Sequence, residues 1–280
     1  MPQKICVCGA GTMGRGIAQS TAQAGFDTLL FDVNPEMVSK AKINIESGLQ
    51  KLIEKAKIQP EEKDLIMGRL HFSNQINDCR ADIIIEAIIE KIEAKEMLFS
   101  QLSDINSPQT IFATNTSSLS VTEIAKSIPS PERVIGMHFF NPATIMKLVE
   151  VVLTEYTSEY TSKAIFDLAK QMGKTPVLCK DAPGFIVNHV ARPYYLEALF
   201  LIEKGFSDFD SIDKLMEATG FKMGPFRLMD LIGNDINYAV SRSLYEAKGK
   251  PERLKPSSLQ EEKVKKNELG SKTGIGYYQY

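Results

Sequence analysis

Apolar positions along the chain fall into short runs separated by segments of helical period. Residues 4–8, 27–32, 82–86, 110–114, 133–139, 148–153 and 175–179 are apolar runs of strand length, whereas 12–25, 35–57, 92–103 and 160–172 space their apolar residues three and four apart. Asn34-Pro35 opens the second helix with a capping side chain and a ring whose φ already suits a first turn. This alternation predicts parallel strands joined by crossover helices in a doubly wound sheet. After Asp181-Ala182-Pro183-Gly184 the strand runs stop, and 185–204, 208–219, 228–247 and 257–268 all read as helices. The expectation is an α/β domain over 1–182 followed by an all-α domain over 183–280. The second half is short and rich in Leu, Ile, Met and Phe, and is expected to bury a face against another subunit.

The first strand passes into the first helix through Gly9-Ala10-Gly11-Thr12-Met13-Gly14. In that setting Gly9 permits the tight turn, Gly11 lets backbone approach a pyrophosphate at the helix N-terminus, and Gly14 lets the helix pack close to the sheet. Asp32 ends the second strand, where a carboxylate accepts hydrogen bonds from ribose hydroxyls and repels a 2′-phosphate. Val33 and Asn34 offer no arginine to hold one. The first domain is therefore expected to be a Rossmann-type dinucleotide site favouring NAD over NADP. FAD stays open, as does a plain glycine turn beside a solvated aspartate.

Composition narrows the partners. With 33 Lys and Arg against 35 Asp and Glu, the chain has no broad basic footprint for nucleic acid. No apolar run approaches the ~20 residues of a membrane span, and the N-terminal residues lead at once into a strand, so a cytoplasmic protein without a signal or transit peptide is expected. Cys6, Cys8, Cys79 and Cys179 lack the Cys-x-x-Cys spacing of zinc sites. All four are expected to be reduced core residues, with no metal.

Gly136 to Val152, GMHFFNPATIMKLVEVV, places one histidine and one carboxylate in two apolar runs joined by an Asn-Pro turn. A histidine titrates near neutrality, and a glutamate reaching its second ring nitrogen would fix the tautomer and stabilise the imidazolium formed in proton transfer. The histidines are His71, His138 and His189, so candidates for a general base are few. Glu150 is the sole charge in Leu148 to Leu153, and burial without a partner would cost several kcal/mol. The alternatives are a structural His138 and a Glu150 that faces water. Polar strand ends add Asn115-Thr116-Ser117-Ser118, which by residue type alone suits a helix cap, and Asn188 opens the first helix of the second half. A proton acceptor beside a hydride acceptor implies alcohol oxidation or its reverse.

GAGTMGRGIAQ, ATNTSSLSVTEIA, GMHFFNP, KLVEVV, KDAPGFIVN, MGPF and GSKTGIGYY together resemble the 3-hydroxyacyl-CoA dehydrogenase family over nearly the whole chain, especially its short bacterial 3-hydroxybutyryl-CoA members. The resemblance implies NAD-dependent oxidation of the (S)-3-hydroxyl of an acyl-CoA, reversible, in a homodimer whose active site lies between the two domains. It implies His138 as general base, Glu150 as the acid orienting it, and Ser117 and Asn188 as substrate-binding residues. Glu90, Lys95, Asn141 and Lys272 fall on positions that contact the dinucleotide, although Glu90 and Lys95 alone would read as solvated helix-end charges. The reaction serves fatty-acid β-oxidation, butyrate formation and aromatic-acid degradation alike.

Lys51, Lys55 and Lys57 are the cationic candidates for CoA, against the ordinary reading of a wet helix face. Gly48 stands where the family carries a serine, and His189 where members commonly carry arginine. Two other readings remain: a related dehydrogenase acting on a free hydroxy acid or sugar acid, and a nucleotide-binding structural or sensor protein.

Overall fold

A computed structural model describes residues 4–280. The first residues, with which the expectation of no leader segment begins, lie outside the described part. The chain forms two compact units, one ending at Ala182 and one running Pro183–Tyr280.

The first unit is built on eight strands: β1 (Lys4–Cys8), β2 (Asp27–Phe31), β3 (Leu70–Ser73), β4 (Ile83–Glu86), β5 (Ile111–Thr114), β6 (Val134–Phe139), β7 (Leu148–Leu153) and β8 (Thr175–Lys180). Their order is β3-β2-β1-β4-β5-β6-β7-β8. Every pairing is parallel except that of β6 with β7. The Asn141-Pro142 turn is too short for a crossover helix, so the chain reverses there. The helices are α1 (Thr12–Gln23), α2 (Pro35–Glu54), α3 (Pro60–Gly68), α4 (Ile92–Ile105), α5 (Val121–Ala125) and α6 (Glu159–Gln171). Right-handed crossovers on either side of β1 put helices on both sheet faces, which is why the central strands read as continuous apolar runs. Ile5, Val7, Ile17, Leu30, Ile85, Met137 and Val151 share one core.

Local chemistry sets the boundaries. Asn34 caps α2, its side-chain oxygen accepting from Glu36 N at 2.9 Å. The helix stops at Glu54, short of the expected 57, because Ala56 takes φ 53° and closes the last turn onto Ile53 O. Three elements carry no readable apolar run: α3, the edge strand β3, and the single turn of α5, which Ser120 caps by accepting from Glu123 N at 3.2 Å.

In the second unit lie α7 (Val187–Glu203), α8 (Phe209–Ala218), α9 (Pro225–Ile232), α10 (Asn234–Ala247) and α11 (Ser258–Lys265). The helix expected over 228–247 is two, because Gly233 at φ 103° breaks it. Tyr195, Leu199, Ile212, Phe226, Met229 and Tyr277 form the core. Buried Asp230 accepts from Tyr277 N and Tyr278 N, each at 3.0 Å, which pins the C-terminal segment. Cys6, Cys8 and Cys79 are buried free thiols, but Cys179 is not a core residue: on β8 it is only half-buried. Among the described residues no helix is long and apolar enough to cross a membrane.

A Cβ on Gly14 would land on the Gly9 carbonyl oxygen, whereas one on Gly48 would meet nothing within 4 Å. Gly14→Ala is expected to lower stability by about 1–3 kcal/mol through overpacking. Gly48→Ala, in the open interior of α2, is expected to raise it by up to about 1 kcal/mol. Urea midpoints at unchanged slope read both.

Candidate active site

β6 and β7 place His138 and Glu150 directly opposite each other in an antiparallel ladder. Both alternate with core residues Met137, Phe139, Val149 and Val151, so both project from the other sheet face. Nδ1 of His138 and Oε2 of Glu150 are 2.7 Å apart, with the histidine 6% and the glutamate 1% exposed. A water-facing Glu150 is thereby excluded. The Phe140 ring packs against the imidazole at 4.6 Å, and Phe139 N donates to Asn115 Oδ1 at 2.8 Å, tying the end of β6 to that of β5. A carboxylate so placed can fix the orientation of the ring and stabilise a positive charge on it.

At the same sheet edge, Gly9 takes φ 107°, its N–H donating to Phe31 O at 2.7 Å. A Cβ there would stand 2.5 Å from Ala87 O. The Gly11 N-cap has no side chain to occupy the N-terminus of α1, and its surroundings are open, so the orphan N–H groups of that helix can meet an anion. Asp32 accepts from Ala10 N at 2.8 Å and Asn34 N at 2.9 Å through its two oxygens. Each oxygen keeps a lone pair for a ribose hydroxyl. These residues fit a dinucleotide. Thr12 and Asn141 line a cleft of about 230 Å³ with Arg15, Asn44 and Thr144. A larger cavity of about 550 Å³ opens beside Asp82 and Thr110, at the opposite ends of β4 and β5, away from this chemistry.

A charge cluster lies between these parts. Glu90 Oε1 accepts from Thr116 Oγ1 at 2.6 Å and from Ser117 N at 2.9 Å, and Ser117 Oγ stands 3.4 Å away. Lys95 Nζ reaches Glu90 at 3.2 Å and Glu86 at 2.6 Å. Burial pushes the Glu90 carboxyl upward, but the Lys95 charge and the Thr116 and Ser117 hydrogen bonds outweigh it and hold the group below its ordinary value. Lys95 is therefore no solvated helix-end charge; it is 1% exposed. Sequence reasoning missed Glu86, which is fully buried and also accepts from Thr114 Oγ1 at 2.6 Å and Ile88 N at 2.7 Å. Its signal was a carboxylate ending the apolar run 82–86 directly after Ile83-Ile84-Ile85.

Lys51 and Lys55 are exposed at the end of α2, as is Lys57 just beyond it. Asn188 is the second residue of α7, where its carbonyl accepts from Arg192 Nε at 3.1 Å. Lys272, also in the second unit, pairs with Asp235 at 2.6 Å. His71 lies on the edge strand β3, paired with Asp27 at 2.6 Å.

Residues 4–182 match the family model of the 3-hydroxyacyl-CoA dehydrogenase NAD binding domain, and residues 184–280 that of the 3-hydroxyacyl-CoA dehydrogenase C-terminal domain. Over 99% of its length the chain is 43% identical to 3-hydroxyadipyl-CoA dehydrogenase of Escherichia coli K12, of which it spans 59%. It is 39% identical over 99% of its length to a probable 3-hydroxybutyryl-CoA dehydrogenase of Deinococcus radiodurans, of which it spans 100%. The crystal structure of (S)-3-hydroxybutyryl-CoA dehydrogenase from Ralstonia eutropha matches it with a TM-score of 0.95 at 36% identity, over 100% of this chain and 99% of that one.

Lys95→Met would leave Glu86 buried without its cation. A loss of about 3–5 kcal/mol is expected, and Lys95→Met combined with Glu86→Leu should recover much of it. A double-mutant cycle by urea unfolding measures the coupling.

Proposed function

The chain belongs to the 3-hydroxyacyl-CoA dehydrogenase family, an oxidoreductase family with NAD as cofactor, and on that premise we propose that it interconverts short-chain (S)-3-hydroxyacyl-CoA and 3-oxoacyl-CoA with His138 as general acid and base. The observation that carries this reading is the buried 2.7 Å contact of His138 with Glu150, on a strand whose end shares a sheet edge with the glycine turn. The glycine turn Gly9–Gly14 and Asp32 would hold NAD, which would supply the hydride acceptor for C3. His138 Nε2 takes the hydroxyl proton, and Glu150 holds the ring and offsets its positive charge. In reduction the imidazolium returns that proton to the carbonyl oxygen. Ser117 and Asn188 are the residues proposed to hold the substrate oxygens. Alignment of this kind accounts for several orders of magnitude in rate when reacting atoms stand about 3–3.5 Å apart.

Gly9, Gly11, Thr12, Met13, Gly14, Asp32, Glu90, Asn141 and Lys272 are the proposed cofactor-binding set. Burial of Lys95 between two carboxylates supports a positioning role, in which it holds Glu90 rather than reaching the nucleotide itself. Exposure of Lys51 and Lys55 suits contact with the anionic end of CoA. The relatives are named for CoA thioesters, butyryl in two and adipyl in the third, which supports a thioester over a free hydroxy acid. Exposed Phe200, Phe206, Leu231 and Ile236 in the second unit support a homodimer formed through it.

Purified protein is expected to oxidise NADH with acetoacetyl-CoA, and His138→Gln to lower kcat roughly 100- to 10,000-fold while NADH still binds. Full activity of that variant would remove His138 from the reaction. Turnover of free acetoacetate in place of the thioester would overturn the substrate class, and NADH binding without turnover of either would leave a nucleotide-binding protein.

A further inference from the structure

Three of the cysteines meet beneath the nucleotide loop. Cys6 and Cys8 stand two apart on β1 and so share a sheet face. Cys79 follows the 3₁₀ turn Ile76–Asp78 in the connection from β3 to β4. The three Sγ atoms lie within 4.8 Å of one another, and those of Cys6 and Cys8 are 3.8 Å apart. All three residues are 0% exposed. Thiolates bound at about 2.3 Å to one closed-shell ion are held about 3.8–4.0 Å apart. The cluster therefore stands within a small side-chain adjustment of a coordination triangle.

We propose that Cys6, Cys8 and Cys79 form a three-thiolate site for a soft divalent cation of the cadmium and zinc type. Among the described residues no fourth His, Cys, Asp or Glu completes the group. Glu86 stands beside Cys8 in register, but its carboxylate is committed to Lys95, Thr114 and the Ile88 N–H. Structural zinc sites use four protein ligands, so three sulfurs without a fourth donor favour the larger and softer cadmium ion. Leu29 and Ile84 flank Cys6 in register on the two neighbouring strands. That apolar setting excludes the oxygen ligands that hard cations such as calcium and magnesium require. The spacing rule that argued against a metal looks only along the chain, whereas here the third donor arrives from another loop.

Each metal–sulfur bond that forms displaces one thiol proton to solvent, with no change of oxidation state. An ion held this way ties β1 to the β3–β4 connection and stabilises the folded chain by mass action. Packing as small hydrophobes explains each cysteine singly, but it predicts no response to a soft metal.

The test is a Cd²⁺ titration of reduced, chelator-treated protein, equilibrated until the ultraviolet sulfur-to-cadmium charge-transfer absorbance no longer changes. The expected result is saturation at one ion per chain with a raised melting temperature. Cys79→Ser should lose most of the band, and Cys179→Ser, on β8 and outside the cluster, should keep it. Independently of any variant, X-ray absorption of the wild-type complex should count three sulfurs around cadmium. Absence of the band, its full retention in Cys79→Ser, its loss in Cys179→Ser, or a shell dominated by oxygen and nitrogen would overturn the proposal.

Discussion

Burying Glu150 obliges the fold to supply a partner, and most of the site's geometry follows from how that is done. A carboxylate that is 1% exposed costs several kcal/mol unless something compensates its charge. The partner could come from any neighbouring element, but the chain reverses after β6, and the resulting antiparallel ladder sets His138 directly across from it. Facing positions in such a ladder hold their Cβ atoms about 4.5–5.5 Å apart, close enough for the two side chains to meet without strain. The local reversal at Asn141-Pro142 thus creates the dyad on which the proposed proton transfer rests.

The same constraint recurs beside it. Glu86 and Lys95 are both buried, and their 2.6 Å pair extends to Glu90, which in turn gathers Thr116 and Ser117. Removing either end would leave an uncompensated charge, so the network holds the ends of β4 and β5 in one arrangement. The glycine turn and Asp32 complete this edge, with Asp32 spanning Ala10 and Asn34 through its two oxygens. Parallel strands bring their C-terminal ends to a common line, which is why residues from four separate runs of sequence converge there.

Legibility in the sequence followed unbroken apolar runs. Strands in the middle of the sheet were plain because both faces are covered, and edge strand β8 was read through Val177-Leu178-Cys179 although it is largely exposed, whereas His71 and Ser73 interrupt the run in edge strand β3. The break at Gly233 was hidden by unbroken apolar spacing on both sides, because period says little about a single residue's φ. His138 and Glu150 could be paired in advance because one strand reversal separates them. Glu86, Lys95 and the Cys79 partnership could not, because each depends on contacts across different strands or loops. Lys95 in particular reads as a surface charge until its two carboxylates are placed.

The central claim is that Glu150 keeps His138 in the tautomer with its proton on Nδ1. Nitrogen-15 NMR of imidazole-labelled protein at a pH where the ring is neutral measures this directly. The account predicts a protonated Nδ1 and an unprotonated Nε2 in the wild type, with Glu150→Leu shifting the proton toward Nε2. A wild-type ring protonated on Nε2, or a tautomer unchanged by removal of the carboxylate, would contradict it.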